Sequence, residues 1–243
     1  TDGDPQTLEN FSESMMNYGI YVREAQYKTF LDLYQAGDRH VGFASSYDQR
    51  HAWYHPQNKI PAAERMACWA LATQYGIAGV YWKPPMMTSM ERVDGTLRLH
   101  FDEEVGPKEK GSVMVGFAIS GEDKKYQPAA AEPLVTGKDK RGNPTFDHKV
   151  VVLSSPHIAD PVHFRYAWGR NPLGNACIPS VPKRHIALGT QRSDDWAYWE
   201  VPNLDLPAKE RTSRQGLDKI REALRLVDRE RRVLDAKRVL ESE

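Results

Sequence analysis

Residues 42–76, GFASSYDQRHAWYHPQNKIPAAERMACWALATQYG, decide how the first part of the chain is read. Asp48, His51 and His55 stand close together there, among Tyr47, Trp53 and Tyr54, with Pro56 directly behind the second histidine. Pro61 suits a first helical position, and Ala63, Met66, Ala67, Trp69, Ala70 and Leu71 then make a broad apolar face that Gly76 ends. Ahead of the loop, residues 40–44 (HVGFA) form a short apolar run suited to a buried parallel strand covered by helices. Further back, Val22, Ala25, Tyr27, Phe30, Leu31, Leu33 and Tyr34 recur at helical spacing up to Gly37. Helix, buried strand, polar loop and helix in that order predict an α/β unit over residues 1–83.

After Gly79 the pattern changes. Pro84-Pro85 marks a boundary, and Asp94-Gly95 predicts a hairpin turn leading into an alternating run at residues 97–101. Residues 113–119, 149–154 and 162–168 read as further strands with no helix between them, which predicts an antiparallel β-sandwich over residues 84–192. Residues 193–243 carry Trp196, Tyr198 and Trp199. From Lys209 onward, Leu217, Ile220, Leu224, Val227 and Leu234 fall at three- and four-residue spacing, predicting a long amphipathic C-terminal helix. Such a helix docks on its own protein or on a copy of it; its charges interleave too evenly for a nucleic-acid stripe.

Composition removes several classes of function. Among 243 residues, Lys+Arg and Asp+Glu both number 33, so net charge gives no argument for nucleic acid or an anionic membrane. No run of 18 apolar residues predicts a membrane span. The opening TDGDPQTLEN has neither the basic nor the apolar region of a signal peptide. Cys68, inside an apolar helical run, reads as a buried thiol, and Cys177 is distant in sequence.

Asp48, His51 and His55 are the close-set His/Asp group of the chain. A histidine in a loop after a buried strand is well placed as a general base, and a carboxylate beside it would fix the tautomer and stabilise the imidazolium. His51 and His55 as a zinc pair would need a helix that Pro56 opposes, and no nearby Cys or carboxylate completes the set, so no metal or other cofactor is expected. The plain alternative is that both histidines only hydrogen-bond the fold.

Four stretches, His55–Lys59 with Glu64-Arg65 and Ala67, Arg23–Gln26, Phe164–Trp168 with Asn171–Asn175, and Gly116-Phe117 with Tyr126–Ala129, together resemble the sialate O-acetylesterase family, SGNH-type serine esterases that remove acetyl groups from sugars. His55-Pro56-Gln57-Asn58-Lys59, followed by Glu64-Arg65 and Ala67, is similar to the family's HPxNK…ER(L/M)A segment. Arg23-Glu24-Ala25-Gln26 resembles its REAQ, and Phe164-Arg165-Tyr166-Ala167-Trp168 with Asn171-Pro172-Leu173-Gly174-Asn175 resembles its RYAW…NPxGN. Gly116-Phe117 and Tyr126-Gln127-Pro128-Ala129 resemble the GF…(F/Y)xPA of its β-domain. The segments stand in the family's order from Arg23 to Asn175.

The resemblance implies the C-terminal half of a carbohydrate acetylesterase: the last part of a parallel SGNH-like sheet, a β-sandwich and a tail. It implies His55 as the catalytic base, with His51 as the rival because Asp48 stands three residues ahead of it. Where the family has its aspartate just before the histidine, this chain has Ala52 and Trp53, leaving Asp48 as the nearest carboxylate. Arg23 and Gln26 are expected to touch substrate or to support the site from behind. No GQSN-like turn occurs, so the nucleophilic serine is expected from a preceding segment or a separate partner chain that buries residues 21–80. An acetylated sugar is the expected substrate, and a secreted or periplasmic location follows from the family alone. The reading from another class is a non-catalytic carbohydrate-binding or scaffold protein that uses the β-sandwich.

Overall fold

The structure, a computed structural model, describes residues 5–7, 11–15, 20–49, 58–181 and 186–196. Helix α1 (Phe11–Ser14) is a single turn, and α2 (Tyr21–Gln35) and α3 (Ile60–Thr73) flank the extended residues 41–46. Beyond them lies a β-structure. Strands β1 (Met87–Val93) and β2 (Thr96–Phe101) make a hairpin whose turn residues Asp94 and Gly95 have φ of 47° and 72°, as a tight two-residue turn requires. With β3 (Gly106–Pro107), β4 (Phe117–Ser120), β5 (Gln127–Pro128), β6 (Ala130–Lys138), β7 (Pro144–Ser154), β8 (His163–Tyr166), β9 (Ala176–Cys177) and β10 (Gln191–Arg192), the strands form two four-stranded sheets and a small pair. The sheet orders are β1-β2-β7-β6 and β10-β8-β4-β5, with β3-β9 beside them, and every pairing is antiparallel.

The alternation along β2 turns Leu97, Leu99 and Phe101 inward. They meet Val151 and Leu153 from the same sheet and Phe117, Ile119, Phe164 and Tyr166 from the other, in one apolar core that also takes Tyr47. All four residues of β4 are buried because its outer face is covered too, with Ala118 packed among Phe11, Met15, Ile20, Tyr126 and Trp168.

At one end of the second sheet lies a buried ionic cluster. Arg165 and Asp194, both with fully buried side chains, pair through two hydrogen bonds of 2.8 Å. Tyr126 Oη donates to the same carboxylate at 2.5 Å, and Arg192 donates to it at 2.8 Å. The Arg165 guanidinium also lies 4.6 Å from the ring centres of both Tyr126 and Trp168. Arg192 reaches on to Glu24 of α2 at 2.6 Å. This docks one face of α2, where Tyr27 is also pressed so close to Gly189 that a Cβ there would lie 2.7 Å from the ring.

Three sequence expectations change. Residues 40–44 form no strand: His40 is at a bend, residues 41–44 pair with no strand among the described residues, and no parallel pairing occurs among them. A strand is completed by a neighbour's hydrogen bonds, and here none is in place. The strand expected over residues 113–119 begins only at Phe117. The Asn175 side chain takes the Val115 N–H (2.9 Å) and donates to the Val113 carbonyl (2.8 Å), replacing a ladder. The strand expected over residues 162–168 stops at Tyr166, since Ala167 turns with φ of 51°. The C-terminal helix from Lys209 lies outside the described residues.

Burial pushes the Asp194 carboxyl up, but the hydrogen bonds and charge of Arg165, with Tyr126 and Arg192, more than reverse this and hold it below the usual range. A carboxyl depressed on folding adds stability above its unfolded value of about 4, and that stability is lost as pH falls below it. Asp194→Asn is therefore expected to cost about 3–5 kcal/mol at pH 7, because it leaves the buried Arg165 guanidinium without its carboxylate. It should also flatten the loss of stability below about pH 4, read by urea unfolding as a function of pH.

Candidate functional site: the neck of the histidine loop

The chain enters the site along residues 41–46. Phe43 packs on Tyr27 and Phe30 of α2, with ring centres 5.2 and 5.6 Å away. Gly42 lies against α3, where any Cβ would overlap the Trp69 ring. Trp69 Nε1 donates to the Arg39 carbonyl at 3.2 Å, fixing α3 beside the start of this stretch. The stretch ends in a single 3₁₀ turn, Tyr47–Gln49, and each of its three residues anchors a different part of the fold.

Tyr47 ties the turn to the sandwich. Its ring is buried in the core, and its hydroxyl donates to the Leu188 carbonyl at 2.8 Å. The Tyr166 hydroxyl, 2.9 Å away, accepts from the Ala176 N–H at 2.9 Å. Tyr47 has one hydroxyl proton and a carbonyl only accepts, so the proton between the two phenols comes from Tyr166. Burial, with the neighbouring Tyr166 and Asp48, pushes the Tyr47 phenol well above its ordinary value, so it stays neutral.

Asp48 ties the turn to α3. Its carboxylate accepts two parallel hydrogen bonds from Arg65, at 2.8 and 2.6 Å, and the two side chains are only 7% and 3% exposed. Arg65 also donates to the Ser45 carbonyl, so one guanidinium holds both ends of the approach to the turn. Burial lowers the affinity of Arg65 for its proton, but the hydrogen bond and charge of Asp48 overcome that and raise it. Each Asp48 oxygen keeps a second lone pair for another donor.

Gln49 closes the neck. With Nε2 donating to the Asn58 carbonyl (2.8 Å) and Oε1 accepting from the Ala62 N–H (3.1 Å), it binds the far side of the loop and the first turn of α3. Gln49 and Asn58, the described residues on either side of 50–57, are therefore clasped together. His51 and His55 belong to those residues and lie outside the described ones.

The other expected site residues are placed elsewhere. Arg23 donates to the carbonyls of Ala167, Gly169 and Arg170, the turn that ends β8. Burial lowers it to about 10, so it remains a cation at neutral pH. Its two terminal nitrogens are used on these backbone carbonyls, while Nε is buried without a hydrogen-bond partner among the described residues. Gln26 is exposed on the opposite side of α2, with no contact to the neck. Among the described residues, no three His, Cys, Asp or Glu side chains converge as a metal-binding group.

Sequence reasoning missed Arg65, Tyr47 and Gln49. Arg65 left one signal: at three residues before Cys68 it shares the helix face that turns inward, so it is a charge placed where a core residue belongs.

No family model matches the chain, and no curated protein matches it. Among solved structures the chain is similar to a carbohydrate acetylesterase from Xanthomonas citri, at 26% identity and a TM-score of 0.51. The match covers 63% of this chain and 32% of that one, so the chain spans about a third of the length of the esterase it matches.

Proposed function

We propose that this chain is the histidine-bearing part of a serine-type carbohydrate acetylesterase, of the SGNH and sialate O-acetylesterase-like kind. The observation that carries the reading is the likeness to the Xanthomonas citri carbohydrate acetylesterase, reached independently of the motif resemblance. The clasped neck adds a physical reason: a loop anchored to helix and sandwich can hold an imidazole within the narrow tolerances that proton transfer needs.

In the proposed reaction a serine from a segment or chain that joins residues 21–80 attacks the acetyl carbonyl carbon. His55 takes the serine proton as the C–O bond forms. It then gives that proton to the departing sugar oxygen, leaving an acetyl-serine. A water, deprotonated by His55, attacks the acetyl group, and acetate leaves as the proton returns to the serine. Asp48 accepts from the imidazole N–H and stabilises the imidazolium, while Arg65 holds the carboxylate in place. Arg23 supports the site from behind, and Gln26 lies away from the neck. The substrate is an acetylated sugar, and a secreted or periplasmic location accompanies this reading.

The test is acetate release from 4-nitrophenyl acetate and from an O-acetylated sugar, by this chain together with the serine-bearing polypeptide. His55→Ala is expected to abolish release and His51→Ala to leave it essentially unchanged; the reverse outcome makes His51 the base. Asp48→Asn is expected to lower kcat by on the order of 10⁴-fold. Because a carboxylate raises the pKa of a neighbouring imidazole, its loss should also move the acid limb of kcat/KM to lower pH, below about 6.5. A purely structural Asp48 would lower stability and leave that limb in place. Sugar binding without acetate release under any condition would favour a carbohydrate-binding protein instead.

A further inference from the structure

A cleft of about 270 Å³ lies where the segment after α3 meets the sandwich. Tyr81, Trp82 and Lys83 line it from the segment, and Glu103 and Ile178 line it from the sandwich. None of Tyr47, Asp48, Gln49 and Arg65 is among its lining residues. Its wall is pinned from two directions. The Asp102 carboxylate accepts from the Met86 N–H at 2.8 Å through one oxygen and from the Lys83 ammonium at 2.5 Å through the other. On the helix side, Tyr27 Oη donates to the Pro85 carbonyl at 3.3 Å, and Trp82 meets the Phe30 ring edge-on, with ring centres 6.3 Å apart. Pro84 and Pro85 are buried between these anchors, so the cleft is built before any ligand arrives.

The side chains around it keep binding capacity that the fold does not use. Tyr81 is 46% exposed, and among the described residues it has neither a hydrogen bond nor a ring contact. Glu103 is partly buried, yet its carboxylate accepts no hydrogen bond and forms no ion pair among those residues. The Lys83 ammonium, only 15% exposed, gives one proton to Asp102 and keeps two further donors. An open aromatic face, a free acceptor and a fixed donor around a cavity of one-ring size match the chemistry of a sugar. The C–H face of the ring covers the aromatic, while its hydroxyls donate to the carboxylate and accept from the ammonium. A cation would meet the Lys83 ammonium and an anion the Glu103 carboxylate, so charge favours a neutral ligand. A purely apolar one would bury both groups without partners.

We propose that this cleft binds one ring of a neutral sugar chain, with Tyr81 as the stacking platform, Glu103 as hydrogen-bond acceptor and Lys83 as donor. It refuses an acidic ring such as a sialic acid, whose carboxylate would meet that of Glu103. The proposal goes beyond the esterase reading and does not need it, because the cleft holds a sugar chain whether or not an acetyl group is removed from it.

Isothermal titration tests this, on the protein purified from its own cells with whatever chains accompany it. The ligands are cellohexaose, xylohexaose and mannohexaose, with sialyllactose as the acidic arm. At least one neutral oligosaccharide is expected to bind, about tenfold or more weakly after Tyr81→Ala or Glu103→Ala, and with little change after Tyr81→Phe, which keeps the ring. The melting temperature should stay put in all three variants, since Tyr81 is exposed and Glu103 makes no bond in the fold. No binding of any neutral oligosaccharide, binding indifferent to either alanine variant, or sialyllactose bound as tightly overturns the proposal. The two readings fail separately. A protein that binds the neutral sugar through Tyr81 and releases no acetate sinks the esterase reading alone. One that releases acetate, with no sugar bound through Tyr81 or Glu103, sinks the cleft alone.

Discussion

The buried pair of Asp48 and Arg65 is the constraint on which the site depends. A carboxylate and a guanidinium are both withdrawn from water, and only their parallel hydrogen bonds offset a desolvation cost of several kcal/mol per ion. Such a pair does little for net stability, but it tolerates only one geometry. It joins α3 to the turn at Tyr47–Gln49 and, through the Ser45 carbonyl, to the extended approach as well. Tyr47 is fixed in the sandwich core, and Gln49 is bound across to Asn58 and Ala62.

The β-sandwich then has a role beyond its own packing. Its Tyr166 and Leu188 hold Tyr47, its Arg192 holds Glu24, and the turn after β8 receives Arg23. Two helices and one extended segment are too little to close a core of their own. They keep their arrangement because α2 and the Tyr47 turn are bound to the sandwich and α3 is bound to that turn. The other side of the helices is left apolar and open, with Val22 and Met66 exposed.

Much of this was legible in the sequence, and the failures have physical causes. The Asp94-Gly95 turn and the alternation of residues 97–101 located the first hairpin, because both depend on local backbone chemistry. The periodicity of α2 and α3 located the helices. It could not say which face docks: within the broad apolar face read over α3, Met66 is exposed, while Arg65 and Cys68 are buried. Periodicity reports an apolar face without naming what covers it. For the same reason residues 40–44 read as a strand yet pair with none among the described residues, since pairing is decided by another part of the chain. Of the candidate site, Asp48 was found from its closeness to the histidines. Its partner Arg65 is 17 residues on, beyond the reach of any local spacing argument. His51 and His55 lie outside the described residues, so their roles stand on the sequence and on the neck around them.

The central claim is that this chain supplies the base of a serine esterase and not its nucleophile. A serine-directed fluorophosphonate, applied to the assembled enzyme and mapped by peptide mass, tests it most directly. The account predicts a label on a serine outside these 243 residues. It also predicts a labelling rate that rises with pH through a histidine ionisation near about 6.5 and is lost with His55→Ala. A label on Ser45, Ser46 or any other serine of this chain, or a labelling rate indifferent to His55, would contradict it.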